Sequence, residues 1–249
     1  MPSGLFGIEH SNRTVDDHWG KNCFNSSFPT ATACYMLANN IPAIYIRLDC
    51  IDGQLCVVME NVDRARNSKA YSDARKTFKE AGYGLTEVVL DASLCGTPQR
   101  RKRFICFGMQ GAQDGFALNA FLEGQAEKPM TLRDYFGDTL GFEYYYRHPR
   151  NYSRRAVFSI DEPAPTMRGV NRPVPKGYPG HPNDACAVTE KLHALTTPER
   201  AMIQTFPADF KWIGSKTDIE QMIGNAVPVN LAQYVAKIVK TVVEAKTSD

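Results

Sequence analysis

Apolar positions along this chain change their spacing several times, and each change marks an element. Residues 41–48 and 55–59 are short apolar runs, rich in isoleucine, leucine and valine, separated by the turn-forming pair Asp52-Gly53; both read as strands. Residues 69–81 carry apolar side chains at helical spacing and end at Gly82, after Lys79 and Glu80, as a helix closed by glycine. Residues 85–90 and 103–108 are two further strand candidates. Strand, helix and strand in this order is the rhythm of a β-α-β unit. Across 109–190 the periodicity fades into aromatic and proline-rich sequence, including Asp161-Glu162-Pro163-Ala164-Pro165-Thr166 and Pro173-Val174-Pro175. That stretch reads as a separate small subdomain with few long helices. Helical spacing returns at Thr196-Thr197-Pro198-Glu199, with Thr197 the candidate N-cap and Pro198 in the first turn of a helix running to Gln204. A long amphipathic helix over 229–245 follows, with Leu231, Tyr234, Val235, Ile238, Val242 and Val243 on one face. The first forty residues are polar and without clear period.

Composition narrows the class without naming it. The 249 residues are 43% hydrophobic and 22% charged, ordinary for a globular protein. No run approaches the roughly 18–20 apolar residues of a membrane span, and the N-terminus carries no secretory signal pattern. Seven cysteines at scattered spacings, with no Cys-x-x-Cys pair, argue against a disulfide framework or a metal cluster. A reducing, intracellular compartment is expected. The net charge of +2 conceals two basic blocks. Residues 63–112 hold ten basic against five acidic residues, and 147–176 hold seven against two. The second block interleaves arginine with tyrosine, which suits phosphates and base edges, although a solvated basic loop over a small tyrosine core fits the composition equally.

Four motifs occur in a defined order: Val57-Val58-Met59-Glu60-Asn61-Val62; Gly96-Thr97-Pro98-Gln99-Arg100-Arg101-Lys102-Arg103; Leu195-Thr196-Thr197-Pro198-Glu199-Arg200, running into Ile203-Gln204-Thr205-Phe206-Pro207; and Ile223-Gly224-Asn225-Ala226-Val227-Pro228-Val229-Asn230 at the start of the last helix. Singly, each has a plain structural explanation. The last, taken alone, is a helix entry with Asn225 capping and Pro228 in the first turn. Together, in this order, they make the chain resemble the DNA (cytosine-5)-methyltransferases of bacterial restriction-modification systems, over roughly residues 55–245.

The resemblance implies an α/β fold: part of the Rossmann-like, S-adenosylmethionine-dependent methyltransferase sheet, with a small irregular target-recognition subdomain. Residues 51–108 would be a partial catalytic domain, 109–190 the recognition domain, and 191–249 the helices that complete the catalytic domain. Glu60 matches the carboxyl group that engages N3 of the target cytosine, and Asn61 would hold the adjoining turn. Arg101 and Arg103 match the family's basic pair, Arg103 toward the base and Arg101 toward backbone or Glu60. Asn225 and Ala226 match one wall of the S-adenosylmethionine pocket, where free helix N-terminal amides would suit the cofactor's polar tail. Arg147, Arg150, Arg154, Arg155 and Arg168 are assigned to duplex DNA, whose target base must be flipped out. His193 stands where the family often has arginine.

Two family features are missing. The chain contains no Pro-Cys dipeptide, which carries the family's nucleophile, and no glycine-rich strand-to-helix turn for the cofactor. Cys56 is a poor substitute, because four residues of strand separate it from Glu60 by about 13 Å. Residues 1–50 carry no methyltransferase motif; their start is similar to that of some type II restriction endonucleases, as a joining of two adjacent genes would produce. The expectation is a truncated methyltransferase polypeptide with an incomplete S-adenosylmethionine pocket, active only with a second chain that supplies the nucleophile. The alternatives are a non-catalytic DNA-binding remnant of a restriction-modification locus, or a retained endonuclease.

Overall fold

The structure is a computed structural model and describes residues 44–48, 56–149, 151, 153–189 and 192–247. Of the expectations above, those concerning 1–43, 49–55 and Arg150 lie outside the described residues. The strands are β1 (Ile44–Leu48), β2 (Cys56–Val62), β3 (Tyr83–Asp91), β4 (Gln99–Arg100), β5 (Lys102–Gln110), β6 (Tyr144–Tyr146), β7 (Val157–Ser159), β8 (Ala164–Pro165) and β9 (His193–Ala194). The helices are α1 (Lys69–Glu80), α2 (Leu118–Glu123), α3 (Leu132–Phe136), α4 (Thr197–Ile203), α5 (Lys216–Asn225) and α6 (Val229–Thr247). Two units divide the chain. The first comprises the described parts of Met1–Leu90, Lys102–Glu123 and Val239–Asp249, and the second comprises Asp91–Arg101 and Gly124–Ile238.

The first unit is built on a four-stranded sheet in the order β1-β2-β5-β3. β5 is an almost unbroken apolar run because both of its faces are covered, so the usual alternation with polar residues is lost. On one face, Val57 and Met59 of β2 and Phe104 and Cys106 of β5 pack against Tyr71, Ala74 and Phe78, which recur at helical spacing on α1. Ser68 caps this helix through the Tyr71 amide. Gly82, with φ of +77°, ends the turn with its amide on Lys79 O, as a left-handed residue after a helix should. On the other face, Phe107 of β5 meets the rings of Phe116 and Phe121. Leu85 N donates to Asp114 and Ala117 N to Thr86, which fix 109–123 against the sheet rather than in the irregular subdomain.

The second unit has little regular structure and a correspondingly dense set of side-chain ties. β6 pairs antiparallel with β7 and parallel with β9. Gln99 and Arg100 of β4 pair with Ala164 and Pro165 of β8. Leu132, Tyr145, Ile160, Ala164, Met167, Leu195 and Ile203 form its main core. The cap of α4 differs from the sequence expectation: Thr196, not Thr197, is the N-cap. The reason is reciprocal hydrogen bonding, since the Thr196 hydroxyl accepts from Glu199 N while Glu199 Oε2 accepts from Thr196 N, and only this register places the carboxylate at the third position. The last motif departs further. α5 runs through Lys216–Asn225, so Asn225 ends one helix instead of opening the next, and α6 starts at Val229. Among the described residues no helix is long and apolar enough to cross a membrane.

Two substitutions probe opposite kinds of packing. A β-carbon at Gly84 would lie 2.3 Å from the carbonyl oxygen of Ala112, a backbone atom that cannot step aside. Gly84→Ala is therefore expected to lower stability by about 1–3 kcal/mol in urea unfolding. Tyr145 is fully buried and its hydroxyl has no hydrogen-bond partner among the described residues. Tyr145→Phe removes a desolvated donor and is expected to leave stability unchanged or raise it.

Candidate functional site

Five consecutive residues, Gln99 to Arg103, alternate between inside and outside. Arg100 and Lys102 are exposed, whereas Gln99, Arg101 and Arg103 are buried. Extended backbone with a period of two produces this pattern. Each inward side chain has a separate task. Gln99 Oε1 accepts from Met167 N. Arg101, 2% exposed, donates from Nη1 to Met167 O and from Nη2 to Gly224 O and Ala226 O. Its guanidinium thus satisfies carbonyls at the C-terminal end of α5, where a helix leaves them without partners and carries partial negative charge. Of the two partners anticipated for Arg101, the structure gives it backbone.

Arg103 and Glu60 come together in the first unit. In the β2–β5 ladder Glu60 lies opposite Ile105 and Arg103 opposite Val62, so the two are diagonal neighbours on one face. Arg103 Nε is 2.6 Å from Glu60 Oε1, and the two side chains are only 9% and 13% exposed. Burial pulls the Arg103 guanidinium below its ordinary range, and the Glu60 charge acts in the opposite direction. Asn61 points to the other face, where its Oδ1 accepts from Val62 N at the strand end, as anticipated for a residue that holds the turn.

Asn225 and Ala226 belong to the second unit. Asn225 is exposed and accepts from Gln221 Nε2, and Ala226 is tied to Arg101 through its carbonyl. The expected free amides at the entry to α6 are already in use, since Val229 N donates to Gln204 O and Asn230 N to the Thr205 hydroxyl. Thr205 has a φ of +59°, unusual for a β-branched residue; its amide donates to Met202 O and its hydroxyl to Gln204 O. Gly224 has its own reason: a β-carbon there would lie 2.0 Å from Gly169 N, so only glycine lets α5 approach the 168–169 backbone.

The arginines assigned to DNA divide by environment. Arg154 is exposed. Arg155 is held internally, with two contacts to the Glu162 carboxylate and its guanidinium 4.5 Å from the Phe158 ring centre. Arg147 and Arg168 are half-buried and donate to Thr166 O and His148 O. With Tyr146, His148, Asn171 and Arg200 they line a small cleft of about 10 Å³, room for a single water. Burial first, and then Arg172, Arg168 and Arg147, hold the His148 imidazole below its ordinary range.

A buried pair beneath the cleft was invisible in the motif reading. Arg200 Nε lies 3.0 Å from Glu220 Oε2, both side chains about 5% exposed. Arg200 also donates to the carbonyls of Arg168 and Val170, and Glu220 Oε1 accepts from Asn171 and Thr197. The one signal for it was an arginine beside a helix-capping glutamate in a segment otherwise expected to be amphipathic. His193, in the place of a family arginine, makes its own bond of 2.8 Å to Glu199 and stacks on Phe142.

Comparison with known proteins shows the family. Residues 54–241 match the model of the C-5 cytosine-specific DNA methylases, and the chain belongs to that family. Over 183 residues it is 53% identical to the type II methyltransferase M.HindV of Haemophilus influenzae, a match covering 73% of this chain and 60% of that protein. Over 180 residues it is 54% identical to the type II methyltransferase M.HgiDI of Herpetosiphon aurantiacus, covering 72% of this chain and 58% of the relative. The chain thus spans about three-fifths of the length of these relatives. Residues 19–78 match a second model, the HindVP restriction endonucleases. A stretch of 48 residues is 58% identical to the type II restriction enzyme HgiDI of Herpetosiphon aurantiacus, covering 18% of this chain and 13% of that enzyme.

Two outcomes test the site's electrostatics. Glu220→Ala strands a buried guanidinium and is expected to cost about 3–5 kcal/mol in denaturant unfolding, much of it recovered when Arg200→Met is added. The depressed His148 pKa means that the unfolded chain binds this proton more tightly than the folded one. Stability is therefore expected to fall as pH drops through about 6.5 toward the lowered value, and His148→Gln should remove that increment of the Tm-against-pH curve.

Proposed function

We propose that this chain is the base-engaging and DNA-recognising part of a type II cytosine-5 methyltransferase, and that it transfers methyl groups only with a polypeptide supplying the Pro-Cys nucleophile. The observation that carries the proposal is the Glu60–Arg103 pair, buried on adjoining strands inside the methylase-matched region. A carboxyl group held this way engages N3 of a flipped cytosine as negative charge builds in the ring during thiolate addition at C6. The arginine fixes the carboxyl rotamer and is assigned to the base's exocyclic oxygen.

The cysteines described here support an external nucleophile. Burial pushes the thiols of Cys95 and Cys106 up to about 12 and also raises that of Cys186, the reverse of what a reactive thiolate needs. Cys56 shares the Glu60 strand two pleats away. S-adenosylmethionine, the family's methyl donor, supplies the electrophilic methyl group when bound. Of the wall matched to its pocket, Asn225 closes a helix, and the Val229 and Asn230 amides are already bonded. The rest of the pocket is assigned to the same second polypeptide.

Contact with duplex DNA falls to Arg154 and to Arg147 and Arg168 at the cleft, with Arg150 beside them in sequence. Arg155 supports the loop through Glu162. This chain alone, with duplex DNA and radiolabelled S-adenosylmethionine, is expected to form no 5-methylcytosine. Adding a Pro-Cys-containing N-terminal methylase fragment should produce transfer, and Glu60→Gln should then slow it by about 10²–10⁴-fold. Transfer by the unaided chain would overturn the proposal. DNA binding without transfer in the complemented mixture would favour a non-catalytic remnant.

A further inference from the structure

β2 behaves as an interior strand. Cys56, Val57, Val58 and Met59 are all 5% exposed or less, so both faces are covered, and a strand covered on both faces takes a neighbour on each edge. One neighbour is β5, in register from Cys56↔Met109 to Val62↔Arg103. The other is β1, antiparallel, in register from Ile44↔Glu60 to Leu48↔Cys56. These two neighbours differ in kind. β5 lies within the methylase match, whereas β1 lies outside it and inside the restriction endonuclease match at 19–78. The far edge of the first methylase strand is therefore held by a strand that the methylase family does not supply.

We propose that the β2 edge opposite β5 is the docking edge for the N-terminal part of a type II cytosine-5 methyltransferase, and that β1 is a competing strand that must leave for that partner to bind. This rests on the proposed function and adds the place where the second chain attaches. Three observations select the occupant. The methylase match begins at residue 54, at the threshold of β2, and runs on through the family's last motif, so what a methylase would add precedes β2. The matched part of M.HindV is 60% of its length, which leaves about two-fifths to be supplied. Backbone amides and carbonyls pair without regard to the origin of a strand, so a segment of foreign ancestry can satisfy the edge and keep it from aggregating. The same indifference lets another strand take its place, as in recognition by strand addition. The β1 ladder ends at Glu60, so the exchange occurs beside the residue that engages the base.

The test uses the full chain and, as probe, a labelled polypeptide comprising the N-terminal two-fifths of M.HindV. In Tyr45→Pro/Ile46→Pro, adjacent amides point to opposite edges, so one of the two must lose a ladder bond to β2. This variant is expected to bind the probe at least tenfold more tightly than the unaltered chain, with faster hydrogen exchange at β2 amides before the probe is added and slower exchange afterwards. In Ile46→Cys/Val58→Cys, the substitutions fall on Cα partners. Oxidation of this variant is expected to weaken probe binding at least tenfold, and reductant should restore it in the same sample, which excludes misfolding as the cause. Equal affinity in all forms, or no association in any, overturns the docking edge. Methyl transfer to DNA is read on the same mixtures. Association that follows β1 without transfer contradicts the proposed function and leaves the docking edge standing, whereas transfer with affinity indifferent to β1 does the opposite.

Discussion

Burying a cation costs several kcal/mol unless acceptors meet it at every turn, and this chain buries two of them, with a glutamine, on alternate positions of one extended segment. That constraint organises much of what surrounds it. Arg101 stays inside because the carbonyls of Met167, Gly224 and Ala226 converge on it; in return it secures the C-terminal end of α5 and the backbone at Met167. Arg103 stays inside because Glu60 is its diagonal neighbour across the ladder. One strand period thus assigns two neighbouring arginines to different tasks in different units. A Gln-x-Arg-x-Arg spacing is the sequence trace of that arrangement, and its intervening members, Arg100 and Lys102, face solvent.

The same logic governs the second unit, which has short strands and few long helices and compensates with polar ties. The Arg200–Glu220 pair, the carbonyls of 168 and 170, Asn171 and Thr197 form one buried knot between α4, α5 and the backbone of residues 168–171. The cleft arginines are therefore presented by a backbone that is fixed from below. Burial and the neighbouring arginines hold the His148 imidazole below its ordinary range, so the positive charge of the cleft rests chiefly on arginine.

What the sequence revealed followed physical periodicity. β1, β2, β3 and β5, α1 with its glycine stop, and the long α6 were readable from apolar runs or stripes, whereas β4 and the short strands β6 to β9 carry no such pattern. Glu60 and Arg103 were readable because their motifs encode ladder positions. The failures have equally physical origins. Thr196 displaced Thr197 as cap because reciprocal bonding with Glu199 depends on a count of three residues. α5 went unread because a short helix with a glycine near its end and a strongly polar first turn has only a weak stripe. Its glycine is a packing requirement against Gly169, a contact between residues far apart in sequence. Composition and family position also gave no sign that Glu162 and Phe158 hold Arg155. The Arg200–Glu220 pair joins two helices that share no motif.

Under the proposed function, this chain engages the base and does not attack it. The most direct measurement places duplex DNA containing 5-fluorocytosine with this chain, the complementary methylase fragment and S-adenosylmethionine, and maps the covalent adduct by mass spectrometry. Fluorine at C5 cannot leave as a proton does, so the thiolate adduct at C6 persists and marks the nucleophile. The account predicts an adduct on the fragment's Pro-Cys cysteine and none on the seven cysteines of this chain. An adduct on any of those seven would contradict it.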